Sequence, residues 1–289
     1  MAVLNQGAPF NLFGLESKYG EARIAVLPVP YEGTVSYMPG TRFGPRAIID
    51  ASRNIELYSD ELKKDISKIG IFTLEEMLPN VSSPENMSND VGREVEVILD
   101  DKKIPLLLGG EHSISIGAIS AMAKRDKDFS VLHFDAHSDS RETFMGSRYS
   151  HACVMKRILE MRLDYCSVGV RSIDEGTDKE SSSILFMKDM HKMKIEEITD
   201  TISRRLKERV YLTVDFDVID PSEMPSVGTP EPDGMRFYEI SQILKNVLKS
   251  KKLIGMDFVE LSPIPGFVAP DFLAAKLIYN TIGYAFYQT

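Results

Sequence analysis

Three potential metal ligands stand at alternate positions where one predicted strand ends. Residues 130–139 begin with branched and aromatic side chains, which favour a buried strand, and end with Asp135, His137 and Asp139. Side chains two residues apart in an extended chain point to the same face. Two carboxylates beside an imidazole repel each other and resist burial unless a cation lies between them. The segment is therefore predicted to form one wall of a metal site.

Two further segments bring the same residue types to strand ends. Residues 210–217 form an apolar strand that ends with Asp215 and Asp217, and His112 follows a Gly-Gly turn after the apolar run 104–108. A single aspartate or histidine in such a place is more often a solvated or structural residue. Six such ligands exceed the needs of one tetrahedral site and suit two divalent ions that share carboxylates. The oxygen-rich set favours Mn²⁺ and leaves zinc and cobalt open.

Strands alternate with helices along the chain. Most strands are continuous apolar runs, as is typical of a parallel sheet covered on both faces. The chain shows no linker, charge block or repeat, so we expect one domain over residues 1–289, a three-layer α/β/α sandwich around a mostly parallel sheet. Ligands in such sheets bind outside the carboxyl ends of the strands. The predicted strands are 23–28, 69–73, 104–108, 165–170, 184–187, 210–217 and 253–258, with one more beginning at residue 130; the predicted helices are 84–101, 114–124, 151–161, 195–209, 237–248 and 270–287, with one more beginning at Pro45.

Composition and charge limit the classes of function. Lys and Arg number 34 against 43 Asp and Glu, and the formal charge of −9 argues against the basic face that nucleic-acid binding needs. An acidic chain suits a small cationic substrate. Cys153 and Cys166 are too few for a disulfide framework and are predicted to be small buried residues. The N-terminus lacks a signal-peptide pattern and no apolar run approaches the roughly 18 residues of a membrane span, so we expect a cytoplasmic protein without a membrane partner.

Two other features concern the surroundings of the predicted ligands. The glycine- and proline-rich segment 30–45 is long for a connection and carries Tyr31, Tyr37 and Phe43. We interpret it as an ordered loop over a site, with a plain connector as the alternative. His133 is predicted to face the opposite side of its strand from the ligands and to pack in the core.

Seven short motifs follow one another along most of the chain: PGTRFGP at 39–45, GGEHS at 109–113, FDAHSD at 134–139, SHACV at 150–154, VDFDVIDP at 214–221, GTPEPDG at 228–234 and MDFVE at 256–260. Together they resemble the ureohydrolases, the arginase and agmatinase family. The ordered set makes chance agreement a poor explanation. The resemblance implies an arginase-like sandwich on a central eight-stranded parallel sheet, and assembly into homotrimers or homohexamers.

The resemblance also assigns the predicted ligands to two Mn²⁺ ions per subunit. One ion would be held by His112, Asp135, Asp139 and Asp215, and the other by His137, Asp135, Asp215 and Asp217. Asp135 and Asp215 would then bridge the two ions. A metal-bridging hydroxide would attack the guanidinium carbon of the substrate, and the ions would stabilise the charge that builds on the tetrahedral centre.

Catalytic roles are implied for His151, Glu260 and Asp139. Glu260 matches the family carboxylate that pairs with the guanidinium, whose planar fork of donors suits a carboxylate. His151 matches the histidine proposed to shuttle a proton to the leaving amine, since imidazole titrates near neutral pH. Asp139 also belongs to the ligand set. The local sequence alone leaves Glu260 open as a loop-end carboxylate and His151 as a helix cap.

The expected substrate is a small cationic guanidino compound. The loops 30–45 and 228–234 are similar to those of agmatinases, which implies hydrolysis of agmatine to putrescine and urea, a step of polyamine biosynthesis. Arg141 stands where arginases use an asparagine to contact the substrate α-carboxylate, although an arginine could itself bind a carboxylate. Asp174 and Glu175 would suit the far ammonium of agmatine, with a surface turn as the alternative. Arginase, another guanidino-acid ureohydrolase such as a guanidinobutyrase or formiminoglutamase, and a catalytically inactive oligomeric relative are the competing hypotheses.

Overall fold

The computed structural model describes residues 10–175 and 177–287 and contains ten strands within them. They are β1 (Ile24–Val29), β2 (Tyr58–Ser59), β3 (Lys64–Asp65), β4 (Ile71–Thr73), β5 (Ile104–Gly109), β6 (Ser130–Phe134), β7 (Asp164–Val170), β8 (Ile184–Phe186), β9 (Arg209–Asp215) and β10 (Lys252–Val259). Eight of them form one sheet in the order β4-β1-β5-β10-β9-β6-β7-β8, and every pairing in it is parallel. The short strands β2 and β3 pair antiparallel, apart from this sheet.

Helices cover both faces of the large sheet. They are α1 (Gly44–Ser52), α2 (Pro84–Asp100), α3 (Ile114–Arg125), α4 (Val154–Glu160), α5 (Met187–Met190), α6 (Ile195–Arg205), α7 (Phe237–Val247) and α8 (Ala269–Phe286). Helices α2, α3 and α4 share one apolar core with one face of the sheet, and the other five share a second core with the opposite face. The predicted three-layer α/β/α class is confirmed.

Strand β5 shows why continuous apolar runs form this sheet. Leu106 and Leu108 belong to one core and Leu107 to the other, and all three are fully buried. A strand between two helical layers needs apolar side chains on both faces, so the alternation of polar and apolar residues is lost. The helix that precedes β5 begins as predicted, because the Ser83 hydroxyl accepts the N–H of Asn86 at 3.1 Å.

Four neighbouring strands bring their carboxyl ends to one place. Strands β5, β10, β9 and β6 lie side by side, with Leu108, Phe258, Val214 and Phe134 as successive partners in register. The segments that follow these strands therefore leave the sheet next to one another. They carry the predicted site residues His112, Glu260, Asp215 and Asp135.

The segment 130–139 is less regular than predicted. Its strand stops at Phe134, and beyond it His137 makes only an isolated bridge. Asp139 has a φ of 46°, in the left-handed region. Asp139 therefore reaches its position through this backbone turn and not through the alternation of side chains along an extended strand.

Other element boundaries also differ from the predictions. The predicted strand 210–217 stops at Asp215, and a short 3₁₀ helix, Phe216–Val218, carries Asp217. The predicted helix 195–209 ends at Arg205. The pair β2 and β3 was not predicted, because two residues per strand are too few to show a periodic pattern.

Some predictions reach residues outside the described ranges. Residues 1–9 and 288–289 are among these, so the single domain over 1–289 and the argument from the N-terminal segment stay predictions. Among the described residues, none of the helices is both long and apolar enough to cross a membrane. Cys153 and Cys166 are free and buried, as predicted.

Candidate metal centre

One nitrogen of His112 lies among three carboxylates. Its Nδ1 is 3.1 Å from Asp135 Oδ2, 3.2 Å from Asp139 Oδ2 and 3.4 Å from Asp215 Oδ2. This buried nitrogen has no hydrogen-bond partner among the described residues, because none of the three contacts has hydrogen-bond geometry. Nitrogen and oxygen atoms that converge without hydrogen-bonding one another suit a cation held between them.

His137 belongs to a second group that shares Asp135. Its Nδ1 is 2.8 Å from Asp217 Oδ2 and 3.5 Å from Asp135 Oδ1. Asp135 thus turns Oδ2 to the His112 group and Oδ1 to the His137 group. Asp215 reaches the first group through Oδ2, while its Oδ1 accepts the N–H of Asp217 at 2.9 Å. Two groups that share Asp135 could each hold a metal ion: one is His112, His133, Asp135 and Asp139, and the other is Asp135, His137 and Asp217. Asp215 lies against His112, so the six predicted ligands are brought together.

The four carboxylates of these groups are removed from water. Asp135, Asp139, Asp215 and Asp217 are each no more than 8% exposed. Burial, followed by the charges of Asp217 and Asp135, raises the pKa of Asp215 well above its usual value. Burial also raises the pKa of Asp217. Divalent cations would offset both the burial and the repulsion, so the residues present fit a binuclear metal centre.

The other nitrogen of His112 contacts a buried threonine. Thr213 Oγ1 donates to Asp257 Oδ1 at 2.6 Å and lies 2.9 Å from His112 Nε2. Since the threonine proton is used on Asp257, Nε2 must donate to Thr213, and Nδ1 keeps its lone pair for a cation. Sequence reasoning missed both residues. The available signals were a polar residue within an apolar strand, Thr213, and the aspartate of the motif at 256–260.

The prediction for His133 was wrong about its direction. His133 is fully buried, as expected, but it shares the face of Asp135, and its Nε2 lies 2.9 Å from Asp135 Oδ2. Its Nδ1 lies 2.9 Å from Ser167 Oγ. Positions 133 and 135 are two apart, so the side-chain alternation itself requires a common face. His133 therefore supports the shared carboxylate from within the strand.

A cavity of about 160 Å³ adjoins the metal-binding groups. Its wall includes Glu260 and His151 as well as Asp139, so the three predicted catalytic residues face one space. Residues 35–37 also line it, which confirms that the loop 30–45 lies over a site. Apart from histidines, Arg141 is the basic residue among the described lining residues. The cavity is therefore acidic and suits a cationic molecule.

Glu260 follows β10 in a left-handed backbone conformation, with a φ of 67°. Its Oε1 accepts the N–H of His112 at 2.6 Å, and its own N–H donates to the carbonyl of Gly110 at 2.8 Å. Burial, followed by the charge of Glu111, raises the pKa of Glu260 well above its usual value. A cation in the cavity would favour the ionised form of this carboxyl group.

The loop 30–45 is laid directly on the turn that precedes His112. A Cβ atom at Gly110 would lie 2.0 Å from the carbonyl oxygen of Tyr31, so this position requires glycine. The N–H of Glu111 donates to that carbonyl at 2.9 Å. The Gly-Gly turn thus fixes the loop against the carboxyl end of β5.

Arg171 fixes a second loop on the other side of the site. Its guanidinium donates to five backbone carbonyls, those of Gly169, Asp217, Val218, Glu231 and Pro232. These bonds tie the loop 228–234 to the backbone of a predicted ligand, Asp217. Sequence reasoning missed Arg171, because carbonyl acceptors leave no trace in residue types.

Carboxylates continue outward from the metal-binding groups. Glu231 Oε1 lies 3.8 Å from His137 Nε2. Asp174 Oδ2 accepts the hydroxyls of Ser138 at 3.3 Å and Ser140 at 3.0 Å. Asp174 and Glu175 also line a neighbouring open cavity with Arg141. The rim therefore offers negative charge to a substrate that extends beyond the centre.

Fold and site together define a parallel α/β protein with a buried His/Asp cluster, at the carboxyl edge of its sheet, that could bind metal ions. The model of the arginase family matches residues 22–283, and the chain belongs to this family. It is a ureohydrolase, a hydrolase of linear amidines, and the family is one of binuclear metal enzymes. The family and the fold that the motifs predicted are confirmed.

Individual relatives support this assignment. The chain is 39% identical over 273 residues to the N(1)-aminopropylagmatine ureohydrolase of Thermus thermophilus, covering 93% of this chain and 92% of the relative. It is 34% identical over 272 residues to an agmatinase of Pyrococcus horikoshii, covering 91% and 92%. Among solved structures, the agmatine ureohydrolase of Thermoplasma volcanium is similar with a TM-score of 0.85 and 33% identity, covering 93% and 92%.

Proposed function

We propose that this ureohydrolase hydrolyses agmatine to putrescine and urea with two Mn²⁺ ions bound. The observation that carries the proposal is the pair of His/Asp groups that share Asp135 beside an acidic cavity lined by Glu260. Such a cavity suits a substrate that is cationic at both ends and has no carboxylate of its own.

The ligand chemistry supports the choice of metal and its distribution. His112, Asp135, Asp139 and Asp215 would hold one ion, and His137, Asp135, Asp215 and Asp217 the other. Four carboxylates and two imidazoles without a thiolate suit Mn²⁺. When bound, such a pair of ions lowers the pKa of water and stabilises negative charge at the reacting carbon.

The side chains of the cavity would position the guanidinium and move its proton. Glu260 holds Oε1 against the N–H of His112, so the direction of its carboxylate is fixed before a substrate arrives. That carboxylate would receive the donor fork of the guanidinium. His151 would deliver a proton to the nitrogen of the leaving amine as its bond to carbon breaks. Asp139 serves the site as a metal ligand.

A second candidate substrate is N(1)-aminopropylagmatine. The Thermus thermophilus relative carries that name, and the rim of this site offers further carboxylates at Asp174, Glu175 and Glu231. An additional ammonium on a longer substrate would be attracted to them. The acidic groups disfavour the α-carboxylate of arginine, and Arg141, which lines both cavities, is the group beside them that could bind one.

A urea assay with the Mn²⁺-loaded protein tests the proposal. We expect the highest kcat/KM for agmatine, with N(1)-aminopropylagmatine as the competing candidate and little urea from arginine or guanidinobutyrate. Glu260→Gln should reduce turnover of every guanidine and leave the metal content unchanged. Preference for arginine would contradict the agmatine proposal. A protein that retains two metal ions but hydrolyses none of the four compounds would favour the inactive-relative hypothesis.

Assembly and location are part of the same proposal. We propose a homotrimer or homohexamer in the cytoplasm, as the family resemblance implies. Light scattering of the purified protein measures the assembly, and a monomer at micromolar concentration would contradict it.

A further inference from the structure

The hydroxyl of Thr34 lies between a buried carboxylate and the imidazole of His151. Thr34 Oγ1 donates to Glu111 Oε1 at 2.6 Å. The same oxygen accepts the backbone N–H of His151 at 3.0 Å and lies 3.1 Å from His151 Nδ1. One hydroxyl thus connects the loop 30–45, the turn before His112 and the start of the segment that carries His151.

Glu111 is saturated with hydrogen-bond donors. Its Oε2 accepts the backbone N–H groups of Gly33 at 2.7 Å and Thr34 at 2.6 Å, and its Oε1 accepts the hydroxyls of Thr34 at 2.6 Å and Ser113 at 2.5 Å. Four donors match the acceptor capacity of an ionised carboxylate, which has no proton to give back. The proton of Thr34 is therefore used on Glu111.

The hydrogen-bonding capacity that Thr34 has left determines the tautomer of His151. A hydroxyl that has given its one proton can only accept, and it has two lone pairs for doing so. One of them accepts the backbone N–H of His151, and the other faces Nδ1, which must then carry a proton. Ser150 Oγ makes a longer and weaker contact with the same nitrogen, at 3.4 Å against 3.1 Å for Thr34.

We propose that Thr34 and Glu111 are positioning residues that hold neutral His151 as its Nδ1–H tautomer. The inference rests on the proposed function in one respect, the role of Nε2 as the atom that carries the proton. Nδ1–H points to Thr34, which leaves the lone pair of Nε2 for the proton that the reaction moves. Phe144 packs edge-on against the ring, with centroids 5.7 Å apart, and restricts its orientation.

This arrangement lets His151 pass a proton without rearranging its hydrogen bonds. Nε2 accepts one proton released from the attacking water and gives it to the leaving nitrogen as the carbon–nitrogen bond breaks, so a neutral amine departs and the ring ends in its starting state. The second proton of that water leaves the hydroxyl as the carbonyl of urea forms, and the free amine takes it up from solvent. During the transfer, Nδ1–H keeps its bond to Thr34.

The tautomer is measured by NMR on protein labelled with ¹⁵N-histidine and loaded with diamagnetic Zn²⁺. At about pH 8, above the ordinary pKa range of histidine, two-bond ¹⁵N–¹H correlations distinguish the two neutral tautomers. The His151→Asn spectrum assigns the signals. We expect the Nδ1–H pattern in the wild type and in Thr34→Ser, and a mixture or the Nε2–H pattern in Thr34→Val. Ser150→Ala should leave the pattern unchanged, because its hydroxyl is not the partner.

Kinetics of the same variants provide the second readout. Thr34→Val keeps the shape of the side chain and should lower kcat by roughly 10- to 100-fold with KM changed little, because a misplaced proton acceptor loses part of the general acid–base contribution. Thr34→Ser retains the hydroxyl and should recover most of kcat. Thermal melting of each variant checks that the fold is intact.

Three outcomes would overturn the inference: an Nε2–H tautomer in the wild type, a tautomer that Thr34→Val does not change, or a kcat that Thr34→Val leaves intact. The NMR readout needs no turnover. A wild-type Nδ1–H pattern that changes in Thr34→Val would support the positioning role even if no guanidine were hydrolysed, and that result would reject only the proposed function.

Discussion

His112 and His151 are held by the same kind of hydrogen-bonded chain but through opposite ring nitrogens. In each, a carboxylate accepts the hydroxyl of a threonine, and the threonine oxygen faces the imidazole. Thr213, which donates to Asp257, contacts Nε2 of His112, whereas Thr34, which donates to Glu111, contacts Nδ1 of His151. The metal-facing lone pair is therefore on Nδ1 in His112, and the cavity-facing lone pair is on Nε2 in His151.

The two hydrogen-bonded chains are built on different parts of the fold. The sheet-borne chain is Asp257, Thr213 and His112, and the loop-borne chain is Glu111, Thr34 and His151. Thr213 and Asp257 lie on the neighbouring strands β9 and β10, as register partners, and both are fully buried. Thr34 belongs to a loop, and His151 begins a short 3₁₀ helix and is partly exposed. Glu111, in the turn after β5, accepts the hydroxyl of Thr34 and so connects this loop to the end of the strand. The proposed metal ligand His112 is thus fixed by the sheet, and the proposed proton carrier His151 is fixed by loops.

This difference teaches how one fold can set two histidine tautomers independently. The adjacent strands fix His112 whether or not the cavity is occupied. The loop-borne chain depends on the seating of the loop 30–45 against Gly110, so a change in that loop would reach His151. Loss of the sheet-borne chain should affect metal content, and loss of the loop-borne chain should affect turnover.

The largest expected effect comes from removing the charge shared by both metal-binding groups. Asp135→Asn leaves both threonine chains intact but places one fewer charge between two cations. We expect neither Mn²⁺ to survive dialysis, and urea production to fall by roughly 100-fold or more. Metal analysis measures the content per subunit, with Asp174→Asn as a control outside the centre. Two tightly held Mn²⁺ ions in Asp135→Asn would contradict the bridging role.

The next effect separates the sheet-borne chain from the loop-borne one. Thr213→Val removes the acceptor of His112 Nε2–H and one donor of Asp257. We expect Mn²⁺ affinity to fall about 10- to 100-fold and the free energy of unfolding to fall by about 1–3 kcal/mol. Metal titration and denaturant unfolding measure the two quantities.

Thr213→Ser keeps the hydroxyl and serves as the control for that variant. Thr34→Val should leave Mn²⁺ affinity unchanged. If Thr34→Val lost metal as readily as Thr213→Val, the division of labour between the two chains would be wrong.

The smallest effect tests the ionised state of Glu111 through its neighbour Tyr31. Burial, followed by the charge of Glu111, raises the pKa of Tyr31 from 10.0 to about 12. The stability that this phenol contributes is therefore present below pH 10.0 and lost as pH rises through about 12. Glu111→Gln should lower the pKa of Tyr31 but not to its ordinary value, because burial remains.

Ultraviolet absorbance of the phenolate follows this titration. The Tyr31→Phe difference spectrum isolates the signal of Tyr31 from those of the other tyrosines. Glu175→Gln, which changes a carboxylate at the rim, should leave the titration where it is. An unchanged pKa in Glu111→Gln would argue that Glu111 carries no charge next to Tyr31.

The sequence was sufficient to predict the site residues at strand ends. It was insufficient to predict the residues that hydrogen-bond to those site residues. Asp135, Asp215 and His112 could be grouped because parallel strands place their carboxyl ends together. Thr34 could not be linked to Glu111 and His151, because the partners lie 77 and 117 residues away along the chain. The sequence shows a glycine at position 110, but it does not show that the carbonyl oxygen of Tyr31 lies against this glycine.

Two other differences have distinct physical causes. His133 was assigned to the wrong face although side-chain alternation was enough to place it beside Asp135. Asp139 reaches the site through a left-handed backbone residue, which no periodic pattern indicates for an aspartate. Strand-end ligands are thus predictable as a set. The backbone turn that orients each side chain is known only from the structure.

The left-handed backbone of Glu260 also bears on how this enzyme would respond to selection. Side chains other than glycine cost about 1–2 kcal/mol in that conformation, and asparagine and aspartate tolerate it better than most. A library selected for heat resistance alone should therefore accumulate glycine, asparagine or aspartate at position 260 and lose turnover. A screen that also demands urea release should restore glutamate, which makes this a place where stability and activity are in direct opposition.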